Sequence, residues 1–314
     1  MKDNCNLLGV SGKANSGKDE IGKIIQYLIA KNNNWKKNYQ VDRDYKFTYK
    51  QFLAGWNRQS LSGWEIKKFA YKVKQILSIL TGIPIEDFEK EEIKNSYLGE
   101  EWNRWCVYSM GEWLATYLTK EELLKEWPKS DDYAHRYEEI TVRQAMQLVG
   151  TDLFRNKFHP NTWVNALFSD YKTLPKEKSG HDNALGMYSC VCSICGSRFS
   201  SRNKYQTLCK KHWDETNLLP NWIITDLRFE NEAQAILDRG GILIRVNRPE
   251  LFIQKIKDSE KTGGYMRQEH SSETELDDYG KFHYTIDNNR TVEELIVKVE
   301  EILINLKLID EKKK

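Results

Sequence analysis

Ten residues near the start of the chain, SGKANSGKDE (Ser11–Glu20), narrow the choice of fold more than any other stretch. Gly12, Gly17 and Lys18 have the spacing Gly-x-x-x-x-Gly-Lys of a phosphate-binding loop. In such a loop consecutive backbone N–H groups and a helix N-terminus surround phosphate oxygens, and the lysine adds a point charge. Glycine is needed where the backbone turns tightly or lies close to the ligand. Lys13 adds a second cation. The short apolar run NLLGV, 6–10, predicts a strand before the loop. Ile21, Ile24, Ile25 and Leu28 recur at helical spacing after it. Asp19 stands where a Ser or Thr hydroxyl normally meets Mg2+. It would either face the metal, directly or through water, or simply favour the first turn of the helix.

Further along, IKKFA (66–70) predicts a second strand, and Val73, Ile76, Leu77 and Leu80 predict a helix closed by Gly82 with Pro84 beyond. Residues 32–63 lack periodicity and read as a long excursion. Residues 100–117 hold Trp102, Trp105, Tyr108, Trp113 and Tyr117, which suit core packing or a base-stacking wall. Thr141 and Asn161 are placed to cap the helices VRQAMQLVG and TWVNALFSDYK. WIITD (222–226), ILIRVN (242–247) and HYTID (283–287) read as strands. A helix through Glu232, Ala235 and Ile236, closed by Gly240 and Gly241, and a C-terminal helix capped by Thr291 intervene or follow. Strands alternating with helices predict a three-layer α/β fold with a mainly parallel sheet. No internal repeat is evident.

Lys plus Arg number 48 against 46 Asp plus Glu, so no global charge pulls the chain toward nucleic acid or membrane. No apolar run approaches the roughly 20 residues that span a bilayer, and MKDNCNLLGV lacks a signal-peptide core. The expectation is a soluble protein of the cytoplasm, the host's if phage-encoded. Cys192-x-x-Cys195 and Cys209-x-x-His212, thirteen residues apart, have the paired spacing of a Cys3His zinc site, with Cys190 able to replace one ligand. They predict a structural zinc knuckle over 187–217, inserted between a core of 1–186 with acceptor-binding helices and a core of 218–314.

WIITD places Asp226 at the end of an apolar strand with Arg228 two residues on, where parallel sheets bind ligands. Arg143, Arg155, Arg228, Arg245, Arg248 and Arg267 fall near element ends, and guanidinium forks suit a second phosphate group. With these segments assembled, the chain resembles the bacteriophage-type deoxynucleoside monophosphate kinases. The likeness runs through SGKANSGKDE, KKFAYKVKQILSILTGI, TVRQAMQLVGTDLFR, WVNALFSDY, WIITDLRFENEAQAI, GGILIRVNRP, HSSETELDDY and IDNN. Two departures stand out: His270-Ser271-Ser272-Glu273 for a usual His-Pro-Ser-Glu, and Asn289-Arg290 for a usual Asn-Gly.

The resemblance implies a P-loop NTPase/nucleotide-kinase fold, transfer of the ATP γ-phosphoryl to a deoxynucleoside monophosphate with Mg2+, and a homodimer. Gly12, Lys13, Ser16, Gly17, Lys18 and Asp19 would hold ATP and its metal. Lys74, Arg143, Gln147, Thr151, Arg155 and Trp163 would shape the acceptor site. Lys18, Arg155, Asp226 and Arg228 would carry the chemistry. Two other readings keep the loop: a kinase of another small phosphorylated acceptor such as phosphomevalonate, and a DNA-binding ATPase using the basic residues of the cysteine-rich segment. VGTDLFR and TDLRFENE weigh against the former, the near-neutral charge against the latter.

Overall fold

The structure, a computed structural model, describes residues 5–36, 48–55, 58–109, 111–116, 118–128, 134–172, 188–191, 197–201, 219–250 and 274–311. It divides into two compact units, Met1–Lys68 with Leu167–Lys314, and Phe69–Ala166.

In chain order, strand β1 (Leu7–Ser11) is buried end to end and leads through the glycine loop into helix α1 (Lys18–Lys36). Helices α2 (Tyr49–Ala54) and α3 (Arg58–Ser62) precede β2 (Trp64–Lys67). The second unit holds α4 (Ala70–Thr81), α5 (Glu91–Asn95), β3 (Arg104–Ser109), β4 (Glu112–Thr116), α6 (Lys120–Glu126), β5 (Ala134–Glu138) and α7 (Val142–Gln147). A π-helix (Leu148–Phe158) and α8 (Thr162–Phe168) follow. After the hairpin of β6 (Tyr188–Val191) and β7 (Arg198–Ser201) come β8 (Asn221–Leu227), α9 (Glu230–Leu237), β9 (Ile242–Asn247), β10 (Tyr284–Asp287) and α10 (Val292–Asn305).

In the first unit the sheet runs β10-β9-β1-β8-β2, and every pairing is parallel. A parallel sheet covered on both faces needs strands that are apolar throughout, and LLGVS and the Trp222–Ile224 stretch of β8 meet that need. On one face Leu8, Val10, Ile244 and Ile286 pack with Ile21, Ile24 and Ile25 of α1 and with Leu295 and Val299 of α10. On the other face α9 comes so close that a Cβ on Gly9 would lie 2.7 Å from Ile236 Cδ1. A central, mainly parallel sheet flanked by helices is consistent with the predicted α/β class.

Three local readings change. The strand expected over 66–70 lies at Trp64–Lys67, because Phe69, Val73 and Leu77 share a buried helical stripe and draw the chain into α4. VRQAMQLVG is α-helical only to Gln147, after which the π-helix begins. TWVNALFSDYK leaves the helix at Phe168, where Phe168 and Tyr171 pack on Trp222. Most of residues 187–217, with Cys192, Cys195, Cys209 and His212, lie outside the described residues. Among the described residues no helix is long and apolar enough to cross a membrane, and no group of three or more His, Cys, Asp and Glu is placed to hold a metal ion.

The second unit is built differently. Its antiparallel sheet, ordered β4-β3-β5, pairs Trp105 with Tyr137 and Tyr108 with Trp113, and Gly111 (φ 90) turns the hairpin between β3 and β4. The aromatic cluster therefore holds strands together by cross-strand contact, with ring centroids 5.1 and 5.4 Å apart. None of its described aromatics is in the buried core: Tyr108, Trp113 and Tyr137 are exposed, and Trp102 and Trp105 are half-buried.

Candidate functional site

In the first unit, β1 lies between β8 and β9, where the chain's crossovers depart in opposite directions. Ligands of open α/β sheets bind outside the carboxyl ends of the strands at such a point, and the glycine loop sits there. A Cβ on Gly12 would lie 2.5 Å from both Ser16 Oγ and the Val246 carbonyl oxygen. Gly17 has φ 99, and its Cβ would meet Asn288 Nδ2 at 2.4 Å. Gly12 is thus held by the close approach of the Val246 backbone, and Gly17 by a φ that L side chains rarely adopt. Asn288 donates from Nδ2 to the Ser16 carbonyl at 2.8 Å, tying the loop to the residue just past β10.

Lys18 folds back over this loop, its Nζ donating to the carbonyls of Gly12 at 2.5 Å and Lys13 at 2.7 Å. Ser16 is 2% exposed, and its hydroxyl has no hydrogen-bond partner among the described residues. A buried hydroxyl left unpaired is unfavourable, which makes Ser16 a candidate contact for a ligand oxygen. Beside it a cavity of about 620 Å³ is lined by Lys13, Ala14 and Ser16 of the loop and by Arg245, Asn247 and Arg248. Arg245, near the end of β9, donates to Ser11 Oγ at 3.1 Å and to Asp277 at 2.5 Å.

Asp19 opens the first full turn of α1 with its side chain 55% exposed. Its carboxylate accepts from Thr225 Oγ1 at 2.5 Å and pairs with Lys68 Nζ at 3.0 Å. Burial pushes this carboxyl up, but the Thr225 bond and the charges of Lys68 and Lys18 outweigh it, leaving the group below the usual carboxylate range. An ionised carboxylate beside a hydroxyl suits Mg2+, which takes one or two carboxylates, keeps several waters and uses substrate phosphates for the rest. The residues present fit that ion. Asp226 and Arg228, at the carboxyl end of β8, are half-buried. The backbone there is fixed by Glu232, a buried carboxylate that accepts from the N–H groups of Arg228 at 3.0 Å and Phe229 at 3.2 Å.

The second unit holds the other predicted residues. Lys74 on α4 is 5% exposed and pairs with Glu89. Arg143 on α7 donates to Glu91 at 2.6 Å and Asn95 at 3.2 Å. Thr141 caps α7 in a reciprocal box with Gln144, which sets where Arg143 and Gln147 emerge. Thr151 and Arg155 lie on the π-helix, a geometry that recurs at functional sites. Trp163 is buried and donates from Nε1 to the Gly150 carbonyl at 2.6 Å, while its ring meets Phe154 at 5.4 Å. It thus supports the π-helix from within.

Thr225, Lys68, Asn288 and Asp277 enter the loop's surroundings without having been singled out beforehand. Thr225 had a signal, one position before Asp226 on the same strand. Asn288, within IDNN, had only the resemblance. Lys68, within KKFAYKVKQILSILTGI, and Asp277, within HSSETELDDY, likewise had only the resemblance.

No family model matches the chain. A protein of Acanthamoeba polyphaga mimivirus named "Putative deoxynucleotide monophosphate kinase" is 34% identical over 77 residues, 24% of this chain. The match spans 33% of that relative's length.

Proposed function

We propose that the protein transfers the γ-phosphoryl of ATP to a deoxynucleoside monophosphate. The observation that carries the nucleotide half is the loop itself: two glycines at positions where a side chain would be strained or crowded, around a buried serine hydroxyl with no partner among the described residues. The acceptor half rests on the resemblance and on the mimivirus relative's name. Lys18 would leave the loop carbonyls for phosphate oxygens, and Lys13 and Ser16 would contact the same chain of phosphates. Asp19, with Thr225 behind it, would hold Mg2+, which supplies charge neutralisation on the phosphates when bound. Arg143 and Arg155 would grip the acceptor's phosphate, with Lys74 beside them. The acceptor oxygen is already anionic, so positioning and electrostatics suffice and no general base is needed.

A panel of deoxy- and ribonucleoside monophosphates with ATP, scored for ADP and diphosphate, tests the reading. Turnover is expected with at least one deoxynucleotide, favoured over its ribonucleotide by about 1–3 kcal/mol in kcat/KM, the scale of a buried hydroxyl without a partner. Hydrolysis of ATP that needs DNA and ignores every monophosphate would overturn it. A structural zinc on Cys192, Cys195, Cys209 and His212 belongs to the same proposal on spacing alone; metal-free protein after reducing, chelator-free purification would remove it.

A further inference from the structure

The cavity beside the glycine loop contains an acid on the cations that a bound phosphate would need. Asp277 Oδ2 lies 3.0 Å from Lys13 Nζ, and its Oδ1 accepts from Arg245 Nη2 at 2.5 Å. Lys13 and Arg245 come from the loop after β1 and from β9, and both line the cavity. The carboxylate is held in position locally. Leu276 beside it is 3% exposed, Asp277 N–H bonds the Thr274 carbonyl at 2.9 Å, and Glu275 accepts from Glu230 N–H at the start of α9. Lys13 and Asp277 remain about one-third exposed, whereas Arg245 is 13% exposed. The pair can therefore open on its exposed side without Arg245 being stripped from the fold.

We infer that Asp277 is a resident counter-anion that occupies the cations meant for a ligand's phosphate oxygens, and so sets which anions the loop accepts. The inference rests on the phosphate-loop reading and deepens it. Without the carboxylate, Lys13 and Arg245 would face each other across the cavity as like charges. With it the two cations share one negative charge while the loop is empty, which relieves their repulsion and leaves a single net positive charge. A singly charged anion that displaces Asp277 exchanges one negative charge for another and gains nothing. A polyphosphate brings more charge, and it reaches Lys18 and the loop N–H groups as well, so the exchange is favourable. Asp277 would thus act as a specificity-determining residue, favouring highly charged phosphate chains over the abundant small anions of a cell.

Titration calorimetry with pyrophosphate, on the full chain as wild type, Asp277→Asn, Lys13→Met and the double variant, tests this. Asp277→Asn keeps the size and one acceptor oxygen but drops the charge. It is expected to tighten pyrophosphate about tenfold, the scale of one exchanged charge-assisted contact, and to let chloride compete measurably. In the Lys13→Met background the gain should shrink several-fold, since one of the two cations that Asp277 occupies is gone. Unchanged or weaker pyrophosphate binding by Asp277→Asn, with the wild type binding normally, overturns the inference and leaves the loop reading standing. Absence of pyrophosphate binding in every form overturns both. Thermal melting in parallel shows whether Asp277→Asn is folded; Asp277→Ser is the second variant if it is not.

Discussion

Lys18 of the first unit's loop is held differently from the cations of the second unit, although Lys13, Lys68 and Arg245 around it do pair with carboxylates. In the first, Lys18 rests on backbone carbonyls of its own loop, and the site around it is made of peptide groups whose positions two glycines dictate. In the second, Lys74 and Arg143 rest on the carboxylates of Glu89 and Glu91, and the frame is side chains placed by α4, α7 and the π-helix. A backbone-built site has a sequence spacing because its parts are neighbours in the chain. A side-chain-built site does not, because its parts meet only after packing. The loop should therefore fail through single, local changes, and the second unit through changes that move a helix.

Lys18→Ala breaks the first half of this contrast most severely. Turnover should fall on the order of 10³-fold or more, as when a key group stabilising transition-state charge is lost, while circular dichroism and melting stay near wild type. Near-normal turnover would mean that the loop does not handle the transferred phosphate. Arg155→Ala asks the same of the second unit. It should lose about 2–4 kcal/mol in kcat/KM for the monophosphate, the scale of a charge-assisted contact, with ATP affinity unchanged. Equal damage to both substrates would erase the distinction.

Trp163→Phe sharpens the comparison with a smaller effect. It keeps the ring contact with Phe154 but removes the donor to the Gly150 carbonyl, which should lower stability to denaturant by about 1–3 kcal/mol. Because Thr151 and Arg155 share that π-helix, KM for the monophosphate should rise several-fold while ATP binding holds. A stability loss without any change in KM would show that the helix tolerates slack and that its residues do not depend on it for position.

The same contrast governs what was legible in the sequence. The strand and loop around Gly12 and Gly17, the strand Ile242–Asn247 and the caps at Thr141 and Thr291 were all local patterns, and the structure contains them. Phe69 and Ala70 misled because apolar residues beside Ile66 look like strand until Val73 and Leu77 reveal a four-residue period. The π-helix was invisible: nothing in LVGTDLFR distinguishes one extra residue per turn from an ordinary helix, and Trp163, the side chain that supports it, lies beyond its end. The antiparallel sheet hid in an aromatic cluster whose members pair across strands. Asp277 had no signal beyond the resemblance of HSSETELDDY, since its partners Lys13 and Arg245 are distant in sequence.

Asn288 gives the loop its final form from 272 residues away. The strand that begins the loop is paired on one side with β8 and on the other with β9, so it too waits for late sequence. Parallel pairings over such separations form slowly, after the entropy of closing long loops has been met. During synthesis, then, the phosphate loop leaves the ribosome long before Asn288 does and acquires its shape only after it. A nascent chain stopped before Asn288 would carry the motif intact and lack the brace that shapes it, and any ligand of the loop would meet it complete, and stabilise it by mass action, only once β10 had docked.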